Sequence, residues 1–184
     1  MTWLALACGG FTWTLLEYLL HRFVFHERLL GVTPAREHLE HHAKVDWFAP
    51  FGPKLLLAAI VLPALSLVAV PLAGWAPGLV FVGGVVGGWL AYEGLHRAIH
   101  VWPPHTAYGR WARRHHLYHH FGDPRRNHGV SSPLWDFVFR TFTPVSTVTV
   151  PARSARKLPW LLDGDAVHPT LAGTYVLAPA RTAP

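Results

Sequence analysis

The chain has 184 residues, a length that suits one domain, and carries a formal net charge of +6. Half of it is apolar and only 14% is charged, well below the roughly 25% usual in soluble domains. The basic residues avoid the long apolar stretches and gather near their ends, so they point to a membrane surface and not to nucleic acid, while the lone Cys8 excludes a disulfide framework and a cysteine-based zinc site.

In chain order, Thr2 to Leu16 carries no charge, and the apolar run continues through Leu20. That is about the 20 residues needed for one crossing. No basic segment precedes it and no clear small-residue cleavage site follows, so it reads as a span rather than a signal peptide. Thr33-Pro34 reads as a helix cap with proline at the first helical position, opening a helix through about Lys44. Leu55 to Tyr92 has no charged residue and is long enough for two spans, with a turn at Trp75-Ala76-Pro77-Gly78. Pro63 and Pro71 are expected to kink the first of these spans, and Gly83, Gly84, Gly87 and Gly88 give the second small packing faces. Thr106 is placed to cap a helix to Phe121, which Gly122-Asp123-Pro124 would end. Ser132-Pro133 would open a short helix, Pro133 to Arg140, resting Trp135, Phe137, Val138 and Phe139 on the bilayer.

Beyond Pro144 the pattern is weak and proline-rich. The expected organisation is therefore a membrane domain over residues 1–143 and a C-terminal cytoplasmic tail over 144–184. The fold class is all-α: an integral-membrane bundle of about three spans with cytoplasmic cap helices. Nine tryptophans suit the membrane interface. No Lys or Arg precedes the first span or occupies the turn near residue 76, so the N-terminus is expected outside and the C-terminus in the cytoplasm.

Fourteen histidines are the outlier, and most fall into four clusters: His21 with His26; His38, His41 and His42; His96 with His100; and His116, His119 and His120. Spacings of three and four put each HxxHH set on one helix face. His21 and His26 stand about 140° apart on an ideal α-helix, so they would flank a common centre only near a helix end. Span parity puts all four clusters on the cytoplasmic side. Their ten imidazoles are too many for one ion and enough for two, and all-nitrogen ligation suits iron, zinc or copper, not magnesium or calcium. A metal is needed if an unactivated C–H bond is to be oxidised.

The other histidines carry less. His105, His128 and His168 stand alone and read as structural or solvent-facing, and His115 falls outside the HxxHH frame, behind His116. Arg113, Arg114, Arg125 and Arg126 read as a solvated face near anionic headgroups, with a substrate headgroup as the lesser alternative. A metal-transport role is disfavoured, because Ser66 is almost the only polar residue between Leu55 and Trp89.

The segments Glu17 to His26, Tyr92 to His100, His115 to Phe121 and Asn127 to Asp136 resemble motifs of the fatty acid hydroxylase/sterol desaturase superfamily, above all the fatty acid 2-hydroxylases. The order HxxxxH, HxxHH, HxxxH, HxxHH is reproduced over roughly residues 13 to 143. The resemblance implies a dimetal centre of the di-iron type, with zinc an option in the protein as isolated. Its ligands would be His21, His26, His38, His41, His42, His96, His100, His116, His119 and His120, with Tyr92 and Glu93 candidates to stand behind them. It implies hydroxylation of a lipid acyl chain with O2, in the membrane, with electrons from a separate donor protein. Glu93 stands where the family usually has Asp, His128 where an aromatic is common, and Arg140 where Gly is common. Sterol desaturases and carotenoid hydroxylases carry similar clusters, so a carotenoid or sterol substrate is the alternative; the short third motif favours the acyl-chain branch.

Overall fold

The computed structural model describes residues 2–179. Helix α1 (Thr2–Leu19) runs without a break into a π-helical segment, Leu20–His26. After it come α2 (Val32–Ala43), α3 (Phe51–Ala73), α4 (Trp75–Val101), α5 (Ala107–Phe121) and the short α6 (Leu134–Val138). Three helical stretches are long and apolar enough to cross a membrane: Thr2–His26, Phe51–Ala73 and Trp75–Val101. The bundle is thus helical with three candidate spans, as the apolar runs indicated. The spans extend past the uncharged stretches, so α4 carries His96 and His100 on its last turns as a rigid continuation of the third span.

Helix α1 packs along α4, and α3 packs chiefly on α4, with no fully buried residue of its own. The α1–α4 contact depends on absent side chains: a Cβ on Gly84 would sit 2.2 Å from the Leu6 carbonyl oxygen, and one on Gly9 would sit 2.0 Å from that of Phe81. Close backbone approach of this kind is how membrane helices gain dispersion contact where lipid offers no hydrophobic drive. Gly83 and Gly87 have open space around the same position, so only part of the expected glycine face is used.

Several boundaries differ from expectation. The turn between α3 and α4 is the single residue Gly74, at φ +87°, and Trp75 to Gly78 already belong to α4. Helix α2 starts two residues early, at Val32, with Gly31 at φ +88° as its cap. Thr33 caps nothing; Pro34 falls third in the helix, still within the turn whose N–H groups lack helical partners, so its missing donor is harmless. Thr106 does cap α5, accepting from the Gly109 N–H at 3.0 Å. Helix α6 is shorter than expected, because Arg140 takes φ +59° and turns the chain away.

The stretch after Pro144, expected as a tail, is folded. Strand β1 (Val148–Val150) pairs in parallel with β4 (Tyr175–Leu177), and β2 (Leu162–Asp163) pairs antiparallel with β3 (Ala166–Val167). The four-residue helix α7 (Ala152–Ala155) follows β1. Val148, Val150, Ala155, Leu158, Trp160, Leu161 and Tyr175 share one buried core with Ile99 of α4 and Ala112 and Leu117 of α5. Burying each large apolar side chain there stabilises by about 1.5–3 kcal/mol. The Trp160 indole N–H also donates to the His100 carbonyl at 2.9 Å, joining this segment to the end of α4.

Candidate metal centre

The two HxxHH motifs are divided between two foci. His21, His26, His38, His42 and His119 form one group, and His41, His96, His100, His116 and His120 the other; within each, one potential ligand atom per residue lies within 4.8 Å of all the rest. Helix α2 sends His38 and His42 to the first group and His41 to the second. Helix α5 does the reverse, sending His119 to the first and His116 and His120 to the second. The groups adjoin where the rings of His42 and His120 stack at 4.0 Å. The sequence pointed ten imidazoles at one centre; the structure resolves them into five and five.

His21 and His26 share a face because their helix is not an α-helix. The Glu27 N–H bonds the Arg22 carbonyl at 2.9 Å, an i to i+5 bond. That winding brings residues five apart round to the same side, which α-helical winding does not. The 140° expectation is therefore corrected, and their rings lie 5.1 Å apart.

The imidazole nitrogens converge closely within each group. The His26 Nε2 lies 2.9 Å from both His38 Nε2 and His119 Nε2. His119 Nδ1 lies 2.7 Å from the Arg126 carbonyl, which only accepts, so Nδ1 holds the proton and neutral Nε2 is a bare lone pair. His41 is fixed the same way by the Trp47 carbonyl at 2.7 Å, and His21 by that of His128. Nε2 of His21, His41, His42 and His96 is buried without a hydrogen-bond partner. Convergent buried lone pairs repel unless a cation lies among them. Nitrogens that share one ion at about 2.1 Å would stand roughly 3 to 3.4 Å apart. The Nε2 pairs His116–His100 and His120–His116 are 3.1 and 3.0 Å apart, matching that spacing. The donor set fits metal ions at both foci.

Burial favours the neutral, ligating form. It pushes His41 down to about 4 and His42 to about 2, and holds His38, His116, His119 and His120 well below the usual histidine range.

Residues around the foci sort differently from the sequence reading. The Tyr92 ring stacks on His96 at 5.6 Å. Glu93 touches no histidine; it accepts from Lys54 Nζ at 2.5 Å and from the Trp89 indole at 3.2 Å. His115 is buried outside both groups, its Nε2 3.2 Å from Asp136 and its ring against Trp111 and Phe142. His105 and His168 face solvent, but His128 is 2% exposed, its ring 5.2 to 5.6 Å from those of His21, His26 and His119. Arg113 is no part of a solvated face. It is buried, donates to the carbonyls of Ala98, Ile99 and Trp102, and lies 4.2 Å over the Trp160 ring. It caps the C-terminal end of α4, where a cation complements the helix dipole. Arg125 and Arg126 are exposed as expected.

Two buried carboxylates carry more than their motifs suggested. Glu17 accepts from the N–H groups of Val130 and Ser131, and Asp136 from those of His128 and Gly129. Alongside lies a cavity of about 530 Å³ between α1, α2, α3 and α4, lined by His38, His41 and His96 and by apolar residues such as Leu20, Leu57, Val61 and Val85.

Fold and site together define a membrane-embedded protein whose cap helices bury two histidine groups able to hold metal. The chain belongs to the fatty acid hydroxylase family, whose description matches residues 6–141. It is 34% identical over 148 residues to a human (Homo sapiens) fatty acid 2-hydroxylase, the match covering 74% of this chain and 38% of the relative. A dihydroceramide fatty acyl 2-hydroxylase of Arabidopsis thaliana is 32% identical over 143 residues, covering 75% of this chain and 60% of the relative. Among solved structures, the hydroxylase domain of scs7p superposes with a TM-score of 0.61 at 28% identity, covering 78% of this chain and 56% of that one. The chain thus spans less than two thirds of the length of these relatives.

Proposed function

We propose that this chain hydroxylates the acyl chain of a lipid at a two-metal centre held by the ten clustered histidines, with iron as the working metal. The observation that carries the reading is the apolar cavity whose wall includes His38, His41 and His96. An acyl chain entering between the spans would lie against both histidine groups. Bound metal supplies O2 activation, chemistry that no side chain offers. The balance is one C–H bond, one O2, two electrons and two protons giving one C–OH and one water. The electrons come from a separate donor protein.

The chain's own residues do the positioning. Leu20, Leu57, Val61 and Val85 exclude water from the acyl chain, and Tyr92 fixes the plane of His96. The Lys54–Glu93 pair, on facing turns of α3 and α4, sets a polar edge on an otherwise apolar cavity. The names of the matched relatives favour the carbon beside the acyl carbonyl as the one attacked. The basic residues outside the spans favour the metal site and C-terminus on the cytoplasmic side. The exposed Phe137 and Val138 rest on the membrane surface beside it.

Expression in a host that makes no hydroxylated acyl chains tests this. Lipid mass spectra should gain hydroxylated acyl species, absent from cells making the His100→Ala protein. No new oxidised lipid from a metal-loaded protein supplied with a competent electron donor would overturn it.

A further inference from the structure

The two histidine groups are not held alike. Residues 126–131, between α5 and α6, offer two carbonyls to ligand histidines: Arg126 accepts from His119 Nδ1, and His128 from His21 Nδ1. Both histidines belong to the first group. The loop is tied down from two sides by buried carboxylates. Glu17, on α1, accepts from the Val130 N–H at 2.5 Å, the Ser131 N–H at 2.9 Å and the Ser131 hydroxyl. Asp136, on α6, accepts from the His128 N–H at 2.8 Å, the Gly129 N–H at 2.9 Å and the Thr141 hydroxyl at 2.7 Å. Asn127 exchanges two further bonds with the backbone of Thr143, at 2.8 and 3.0 Å. Gly129 lets the loop close on α6, since a Cβ there would lie 2.1 Å from the Ser132 carbonyl oxygen.

Among the described residues the second group has one such brace, His41 to the Trp47 carbonyl, against two in the first, and no buried carboxylate anchors the Trp47 segment as Glu17 and Asp136 anchor residues 126–131; the remaining histidines of each group have no Nδ1 bond to a carbonyl. A ligand whose proton is pinned on Nδ1 by a fixed carbonyl presents Nε2 in one tautomer and one direction. Loss of such outer partners costs about 10–100-fold in metal affinity.

Resting on the two-metal reading above, we propose that the 126–131 loop, anchored by Glu17 and Asp136, is a clamp that makes the ion of the first histidine group the tightly held one. The ion of the second group exchanges more readily. Glu17 and Asp136 are positioning residues that act through the loop's carbonyls without touching metal.

Zinc release from the purified full chain to a chromogenic chelator tests this directly. Two one-equivalent phases are expected, separated by about 10–100-fold in rate. The His119→Ala protein should lack the slow phase and the His100→Ala protein the fast one. Glu17→Ala should accelerate the slow phase alone by a similar factor, and Glu17→Gln, which keeps an acceptor oxygen, should restore much of it. Both zinc ions leaving in one phase would overturn the proposal, as would a slow phase abolished by His100→Ala or a folded Glu17→Ala protein with an unchanged slow phase. The wild-type measurement stands even where a variant does not fold. Failure to bind zinc at all would instead sink the two-metal reading.

Discussion

Single side chains divide sharply into those that meet the foci and those that do not. His119 is fully buried in the first group, whereas His168 is exposed and its side chain bonds Thr170, two residues on. His119→Ala should therefore lose metal and activity and His168→Ala neither; metal content measured alongside turnover checks this, and equal values in both proteins would refute the assignment. Arg140 holds φ +59°, a left-handed conformation that disfavours a side chain by about 1–2 kcal/mol, which explains why glycine suits the position. Arg140→Gly should raise the melting temperature by the equivalent of about 1 kcal/mol. Burial pushes both His41 and His128 down to about 4, below the roughly 6.5 of an unfolded chain. The unfolded chain then binds more protons below pH ~6.5, so metal-free protein should keep this stability above that pH and lose it progressively toward pH ~4. Melting curves of the metal-free protein at successive pH values report it, and a flat profile would count against buried neutral histidines. At this scale the HxxHH and HxxxH histidines were legible because helix spacing puts them one turn apart, whereas the pairing of His21 with His26 depends on a π-helical winding. His128, Arg113, Glu17 and Asp136 were not, because their roles come from burial and from bonds spanning up to 114 residues of sequence.

Among elements, the π-helical end of α1 and the α1–α4 contact set the site. Both spans carry clustered histidines, so their spacing is the spacing of His21 and His26 from His96 and His100. Gly84→Leu should push the helices apart, because its Cβ would fall 2.2 Å from the Leu6 carbonyl oxygen. A cost of about 1–3 kcal/mol is expected, with metal lost at least in part. Thermal melting and metal analysis of the detergent-solubilised variant check this, and full metal content with unchanged stability would contradict the packing account. The spans were readable from uncharged length alone. The π-helix was not, since no residue pattern in Leu20–His26 marks a change of winding; only the five-residue histidine spacing hinted that an α-helix would serve it poorly.

At the scale of the whole molecule, three candidate spans form a bundle whose one end is closed by α2, α5 and the folded C-terminal segment. The membrane supplies solvent for the outer face of α3, none of whose residues is fully buried within the chain. The cap buries His21, His41, His96, His100, His116 and His119, and the cavity opens the same site toward apolar surroundings. The C-terminal contribution escaped the sequence because its strands are two or three residues long and find partners only through the tertiary core. The central claim is that this arrangement inserts an oxygen atom into a lipid acyl chain. The most direct measurement is the mass of acyl chains recovered after iron-loaded protein in bilayers is given isotope-labelled O2 and an electron source. The account predicts acyl chains carrying one oxygen atom that bears the O2 label. Acyl chains that stay unmodified, or carry oxygen from water instead, would contradict it.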